Sequence, residues 1–125
     1  MSDLFIDERH QQRFNDLVRL DNTDPADIER FTLFYIIAGN EDLSSKAKAI
    51  YDFEDNSIRP DCIYDGKVDF CNSSKCLIRL AFNLYNSTHS EGIIDILSPL
   101  DTYNRSLAIR GLTVRFIDAQ CYLSS

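Results

Sequence analysis

The sequence predicts an all-α fold, a compact bundle of about five helices with one irregular loop in the middle. Three observations favour it. Apolar residues recur at helical spacing over most of the chain, helix-start signals precede the apolar segments, and glycine and proline are scarce, at 4 and 3 of 125 residues. A chain of this length is expected to form one hydrophobic core, so we assign residues 1–125 to a single helical domain.

The first helix is predicted over about residues 7–20, where Phe14 and Leu17 lie on one side. His10 falls among the polar positions of that helix. The other histidine, His89, falls in a loop rich in serine and threonine. Because histidine is commonly exposed or half-buried, we expect both imidazoles at the surface.

The second helix is predicted over about residues 25–38, because Asp24-Pro25 places an N-cap residue directly before a proline suited to the first helical position. Its apolar residues fall on every side. A helix of that kind is normally buried on several sides, so we expect it at the centre of the fold. Gly39-Asn40 is expected to end the helix in a left-handed conformation.

Helical periodicity is weaker in the middle of the chain. A short helix is predicted over about residues 42–50, and the periodicity is lost over residues 51–73. Within that segment Asp65-Gly66 has the composition of a two-residue hairpin turn. A packed loop with one 3₁₀ turn fits equally well, because the flanking residues alternate poorly and apolar residues anchor the segment.

A further core helix is predicted over about residues 74–86, where apolar residues cover a wide arc. Ser73 or Ser74 is expected to cap it. We place this helix beside the second helix in the core.

Two helices are predicted after that core helix. A short one covers about residues 91–97. The last is expected to reach about Ile117, starting at Pro99 behind a Ser98 cap or, alternatively, at Asp101.

The amino terminus has neither the basic region nor the apolar run of a signal peptide, and no apolar stretch approaches the roughly 20 residues that cross a bilayer. We therefore expect a cytoplasmic protein without membrane association, in which Cys62, Cys71, Cys76 and Cys121 are free, buried thiols. The four-residue gap between Cys71 and Cys76 does not match a zinc site, and the glycines form no phosphate cradle. No metal and no cofactor are expected.

Acidic residues are concentrated in the first half of the chain. Residues 1–69 contain 16 acidic and 8 basic residues, whereas residues 70–125 contain 4 and 5. The net charge of −7 disfavours direct binding to nucleic acid and permits a basic protein partner, although solubility alone also accounts for it. Arg105, Arg110 and Arg115 form no basic stripe, since steps of five residues turn them in three directions around a helix.

Three segments resemble a known family: residues 34–39, residues 80–86, and Leu100-Asp101 followed by Asn104. In these packing motifs the chain is similar to a domain-of-unknown-function family of small helical bacterial proteins, mainly from Firmicutes and often encoded near mobile elements. The resemblance spans about residues 6–116. It implies an α-helical fold and a bacterial cytoplasmic setting, and it brings no activity and no catalytic residue.

Arg79, Asn83 and Asn86 are the candidate binding residues. At about 100° per residue they fall close together on the polar face of their helix. Asparagine is a poor helix-interior residue, so two on one face suggest a role. One role is structural, in which the amides tie the loop 51–73 or the turn 98–101 to the core. The other is recognition of a ligand or a partner.

No residue pattern indicates catalysis. A hydrolytic triad needs a histidine base, and neither histidine lies in a recognisable motif. The balance is against an enzyme, and we favour a non-enzymatic interaction or regulatory accessory protein that binds another protein through its acidic half. One alternative is an acidic inhibitor of a host defence nuclease, encoded by a mobile element. The other is a small enzyme or small-molecule binder that uses the Asn83 face.

Overall fold

The described part of the chain is mostly helical. A computed structural model describes residues 4–89 and 91–118. Its elements are, in chain order, α1 (Glu8–Asp21), α2 (Ile28–Gly39), α3 (Glu41–Ser45), α4 (Ala47–Ile50), β1 (Tyr51–Asp52), β2 (Ser57–Ile58), α5 (Asn72–Asn86), α6 (Ile93–Leu97), α7 (Thr102–Thr113) and a π-helix (Val114–Asp118). The predicted class is therefore right in being mostly helical. It is inexact because the described residues form seven α-helices and a small sheet.

Helix α2 lies at the centre of the core, as its all-round apolar sequence predicts. Every residue from Phe31 to Gly39 is buried. α1 and α5 pack most extensively against it, and α3, α7 and the π-helix also contact it. α5 is the second core helix, with buried residues on each of its turns. The two core helices are those that the sequence indicates.

Helix α2 begins later than predicted, at Ile28. Asp27 caps it, because the Asp27 carboxylate accepts a hydrogen bond of 2.9 Å from the backbone N–H of Arg30. Asp24 instead closes a turn before the helix. Its side chain accepts from the N–H of Ala26, and its carbonyl accepts from the N–H of Asp27.

Gly39 is the last residue of α2, and the left-handed ending predicted for Gly39-Asn40 is wrong. Asn40 is extended, with φ −120°, and its side chain caps α3 by accepting from the N–H of Leu43 at 3.0 Å. Packing explains the glycine. A Cβ atom on Gly39 would overlap the Leu107 side chain of α7 and would lie 3.2 Å from Nε2 of His10.

The helix predicted over residues 42–50 is divided at Lys46 into α3 and α4. The chain then forms a small antiparallel hairpin, in which Tyr51 of β1 pairs with Ile58 of β2. The Asp52 carboxylate stabilises the turn between the two strands by accepting hydrogen bonds from the backbone N–H groups of Glu54 and Asp55, at 2.9 and 3.0 Å. The only strands of the described residues therefore lie before the position where a hairpin was considered.

The alternative hairpin at Asp65-Gly66 does not form. The backbone N–H groups of Tyr64 and Asp65 both donate to the carbonyl of Asp61, so the chain coils into turns here. Gly66 follows with a φ of 71°. The packed-loop alternative is the correct one, and Phe70, an apolar residue of this segment, is buried.

The two long helices of the second half begin close to their predicted starts. α5 begins at Asn72, slightly before the expected serine caps. α7 begins at Thr102, the later of the two alternatives, because the Asp101 carboxylate accepts from the N–H of Asn104 at 2.8 Å. After Thr113 the backbone continues as the π-helix.

His10 is fully buried, so its predicted surface position is wrong. Its Nε2 lies 2.8 Å from the carbonyl oxygen of Tyr35, and the N–H of Ile6 donates to its Nδ1 at 3.1 Å. The cause is the segment before α1. Leu4 and Phe5 of that segment are buried, and the Phe5 ring packs edge-on against the imidazole.

Candidate functional site

The three predicted binding residues contact the connection between α5 and α6. The Nε atom of Arg79 lies 3.5 Å from a carboxylate oxygen of Glu91. The Asn83 amide donates to the backbone carbonyl of His89 at 2.6 Å. The exposed Asn86 accepts, through its amide oxygen, from the backbone N–H two residues later at 3.1 Å. All three side chains therefore meet one connection.

These partners are closer in sequence than those predicted. The amides were expected to tie the loop 51–73 or the turn 98–101 to the core. Among the described residues, their hydrogen bonds go instead to residues 88 and 89. Such contacts suit a local tether for the connection, and that role stays a prediction that stability measurements can test.

The predicted surface position of His89 is also wrong, because only 13% of its side chain is exposed. Its imidazole stacks on the ring of Phe82, with 5.9 Å between centroids, and lies beside the ring of Tyr64. Its Nδ1 is 3.9 Å from Glu91, and its buried Nε2 has no hydrogen-bond partner within residues 4–89 and 91–118. A histidine-based triad needs a nucleophile within hydrogen-bond reach of the imidazole, and none of the described residues hydrogen-bonds to this Nε2.

A buried polar network, which sequence reasoning missed, joins α1, α2 and β1. The Asp21 carboxylate accepts from the Tyr51 hydroxyl at 2.7 Å, from the Thr23 hydroxyl at 2.5 Å and from the Asn56 amide at 2.7 Å. The Nε of Arg30 donates to the Tyr51 oxygen at 2.8 Å. The network holds the β1–β2 turn against the end of α1.

Burial and hydrogen bonding act in opposite directions on the charges of this network. Burial alone would raise the pKa of Asp21, but the hydrogen bonds from Thr23, Tyr51 and Asn56 outweigh it and lower that pKa. Burial raises the pKa of the Tyr51 hydroxyl, and the neighbouring carboxylate raises it further. The Asp21 side chain therefore stays ionised and the Tyr51 hydroxyl stays protonated, as the hydrogen bond between them requires.

A concave surface lies between the end of α1 and the segment that contains α3 and α4. It is lined by Leu17 and Leu20 of α1, by residues 44–49, and by Phe53 and Val68. It is open to solvent and has a volume of about 550 Å³. We call this surface the lysine trough, because two lysines lie within residues 44–49.

Two smaller depressions share lining residues with the lysine trough. One of about 440 Å³ shares Leu20, Lys48 and Phe53 with it, and one of about 190 Å³ shares Lys48, Ala49 and Val68. Lys48 lines all three depressions. The three therefore form one continuous concave surface.

The lysine trough forms because its central segment has no large apolar side chain. Residues 44–49 read Ser-Ser-Lys-Ala-Lys-Ala, and the larger residues that flank them, Leu43 and Ile50, are fully buried. Nothing in the segment can fill the space beside α1. The only sequence signal of the trough is therefore this run of small residues and lysines. Helical periodicity predicts no more than a short helix from it.

The thiols and possible metal ligands suggest no further site. Cys62 and Cys76 are buried as predicted, whereas Cys71 is exposed, and these three are free; Cys121 lies outside the described residues. Burial raises the pKa of Cys62 to about 11, so its thiol is protonated at neutral pH. The described residues contain no group of three or more side chains arranged to hold a metal ion. Within the same residues no helix has the length and apolarity to cross a membrane.

Comparison with known proteins identifies the family of the chain. A family model described as a family of unknown function, DUF6075, matches residues 1–121, so the chain belongs to that family. The helical domain-of-unknown-function family expected from the sequence is supported to this extent. No curated protein and no solved structure matches the chain.

Proposed function

We propose that this family member is a non-enzymatic interaction protein that binds a segment of another protein in the lysine trough. The observation that carries the proposal is the apolar lining of an open, concave surface. Leu20 of this lining is 53% exposed, and Ala49, Phe53 and Val68 are half-buried. Contiguous exposed apolar surface is typical of interaction sites, because a partner that covers it removes that surface from water.

The trough supports binding better than catalysis. Its polar lining groups are the hydroxyls of Ser44 and Ser45 and the amines of Lys46 and Lys48. Within the trough itself neither a carboxylate nor an imidazole is available as a general base, and Asp52, Glu54 and Asp65 line only the adjoining depressions. Small-molecule sites enclose most of the ligand and direct several polar groups toward it, whereas this surface is open. A segment of protein chain fits that shape better.

The Asn83 face gives less support to the small-enzyme or small-molecule alternative. The Asn83 amide is hydrogen-bonded to the backbone at 2.6 Å, and the Arg79 guanidinium lies beside Glu91. Side chains with internal partners would have to exchange them for a ligand.

We further propose a bacterial cytoplasmic setting, on the resemblance to small bacterial proteins encoded near mobile elements.

An acidic inhibitor of a defence nuclease is also less well supported. Such an inhibitor needs a face of carboxylates free to replace phosphates. Several carboxylates of the first half instead have basic partners within 4 Å. These pairs are Asp16–Arg19, Asp27–Arg30, Asp42–Lys46 and Asp52–Arg59. Interspersed charges of this kind favour solubility.

Affinity capture with two matched variants tests the proposal. Leu20→Glu places a charge in the trough, and Ile109→Glu places the same charge on a similarly exposed isoleucine of α7, outside the trough. Each tagged protein is expressed in its native host, and bound proteins are quantified by mass spectrometry. We expect proteins that both the wild type and Ile109→Glu retain and Leu20→Glu loses. Equal capture by Leu20→Glu, or a loss confined to Ile109→Glu, would overturn the proposal.

A further inference from the structure

Resting on the proposed function, we infer that the lysine trough selects a partner segment that combines apolar side chains with carboxylates. The juxtaposition of unpaired lysines with an apolar lining motivates this inference. The net charge of −7 suggests a basic partner, whereas this inference predicts an acidic one. The binding region stays in the acidic half, but the groups that face the partner are cations.

The trough and the depression beside it contain most of the lysines of the chain. Lys46, Lys48 and Lys67 are three of four. Lys46 is already occupied, since its ammonium lies 2.7 Å from an Asp42 oxygen and 2.6 Å from the carbonyl of Asp69. Within residues 4–89 and 91–118, the ammonium groups of Lys48 and Lys67 form neither an ion pair nor a hydrogen bond. These two cations are free to meet a partner.

Of the three carboxylates that line the depressions beside the trough, Asp52 and Asp65 already have partners of their own. Asp52 lies 3.6 Å from Arg59 and accepts from its own turn. Asp65 accepts from the backbone N–H of Lys67 at 3.0 Å. The lining of the trough itself includes no carboxylate. An acidic partner would therefore meet unpaired positive charge without facing an equal number of free negative charges.

Apolar and cationic groups are close enough to act on one short segment. Lys48 and Lys67 line the same small depression as Ala49 and Val68. A side chain that packs on Val68 would place its neighbours beside two ammonium groups. Apolar burial would supply most of the affinity, and the charges would select acidic flanking residues and speed the encounter.

Nucleic acid fits this surface less well than an acidic segment. A phosphate backbone needs a series of cations, because release of counterions from many phosphates supplies its affinity. Among the described residues that line this surface, the unpaired cations are only Lys48 and Lys67, and the Glu54 carboxylate lines an adjoining depression along which a continuous run of phosphates would pass. The apolar lining also lacks exposed aromatic rings arranged for base stacking, since Phe53 is its single aromatic residue.

A random peptide library tests the inference. The library is selected on the purified full chain and counter-selected on the Leu20→Glu variant. Enriched peptides are then measured by fluorescence polarisation against the wild type, the pair Lys48→Glu/Lys67→Glu, and the control pair Arg9→Glu/Lys75→Glu. Both pairs change the net charge equally, and the control residues lie outside the trough.

We expect enriched peptides to combine Leu, Ile, Phe or Val with Asp or Glu. Their affinity should fall about tenfold in the trough pair and by no more than about twofold in the control pair, and added salt should reduce this difference. The inference is overturned if the enriched peptides are neutral or basic, if none depends on Leu20, or if both pairs bind equally. Displacement of the peptides by a single-stranded oligonucleotide would also overturn it. In each of these cases, partner capture that Leu20→Glu abolishes would leave the proposed function standing.

Discussion

The buried imidazole of His10 makes stability depend on pH in a window that few other groups share. The Nδ1 atom accepts from the N–H of Ile6 and Nε2–H donates to the carbonyl of Tyr35, so the neutral ring satisfies both contacts. A protonated ring would turn a second N–H toward the Ile6 donor. Burial is the largest influence on the pKa of His10 and lowers it below 6.5, and Arg13 lowers it further, whereas the Tyr35 carbonyl acts in the opposite direction.

The sign and size of the effect follow from proton linkage. Below pH 6.5 the unfolded chain binds a proton at His10 that the folded chain does not. Folding free energy from this residue is therefore fully present above 6.5 and is lost as the pH falls toward the lowered folded pKa. The loss approaches about 1.4 kcal/mol for each pH unit within that window.

Urea unfolding from about pH 7 to about pH 5 can isolate this contribution, because most carboxylates titrate lower. His10→Gln keeps a donor for the Tyr35 carbonyl but cannot be protonated. We expect the wild type to lose stability faster than this variant as the pH falls. Parallel profiles for the wild type and His10→Gln would refute the argument, whatever the absolute stability of the variant.

Three further substitutions have expected effects on urea melts. In Gly111→Ala, a Cβ atom would lie 2.9 Å from two atoms of the buried Ile36, so overpacking of about 1–3 kcal/mol should exceed a gain in helix propensity of at most about 1 kcal/mol. Unchanged stability would show that α2 and α7 can separate. Tyr51→Phe removes the hydroxyl that joins the buried carboxylate to the guanidinium and should cost about 1–3 kcal/mol; a neutral result would refute a stabilising network. Asn83→Ala should cost about 1 kcal/mol, whereas exposed Asn86→Ala should stay within about 0.5 kcal/mol; unchanged or raised stability in both would refute the tether.

The sequence predicts the central helix well and its boundaries less well. Apolar residues on all sides of α2 require burial in any helical arrangement, so its place could be predicted from periodicity alone. Its start could not, because Asp24 and Asp27 are both suitable caps three residues apart. Asp27 has an additional contact, since its side chain lies 2.7 Å from the Arg30 guanidinium, which also reaches Tyr51. The contact between Arg30 and Tyr51 depends on a residue outside α2, so the sequence near the helix start does not show it.

Helical spacing predicts which polar residues share a face, but it does not predict which residues they contact. The α5 face could be identified because Arg79, Asn83 and Asn86 fall close together at helical spacing, but its amides were expected to reach other segments, whereas Asn83 bonds to a residue only six positions away. The Asp21 network instead joins residues separated by 30 and 35 positions. His10 was misplaced for the same reason, since its partner carbonyl on Tyr35 is 25 residues away. A polar residue on a helix gives no local signal of the chain that will cover it.

The polar network and the lysine trough are neighbours, which gives the network a consequence for binding. Tyr51 carries the hydroxyl between Asp21 and Arg30, and its ring lies 4.9 Å from that of Phe53 in the trough lining. Phe53 also stacks on the buried Phe34 ring at 6.0 Å. A lining residue held by two rings loses little freedom when a partner binds, and that saving raises the affinity a small surface can reach. The buried charges therefore help to keep the apolar side of the trough in shape.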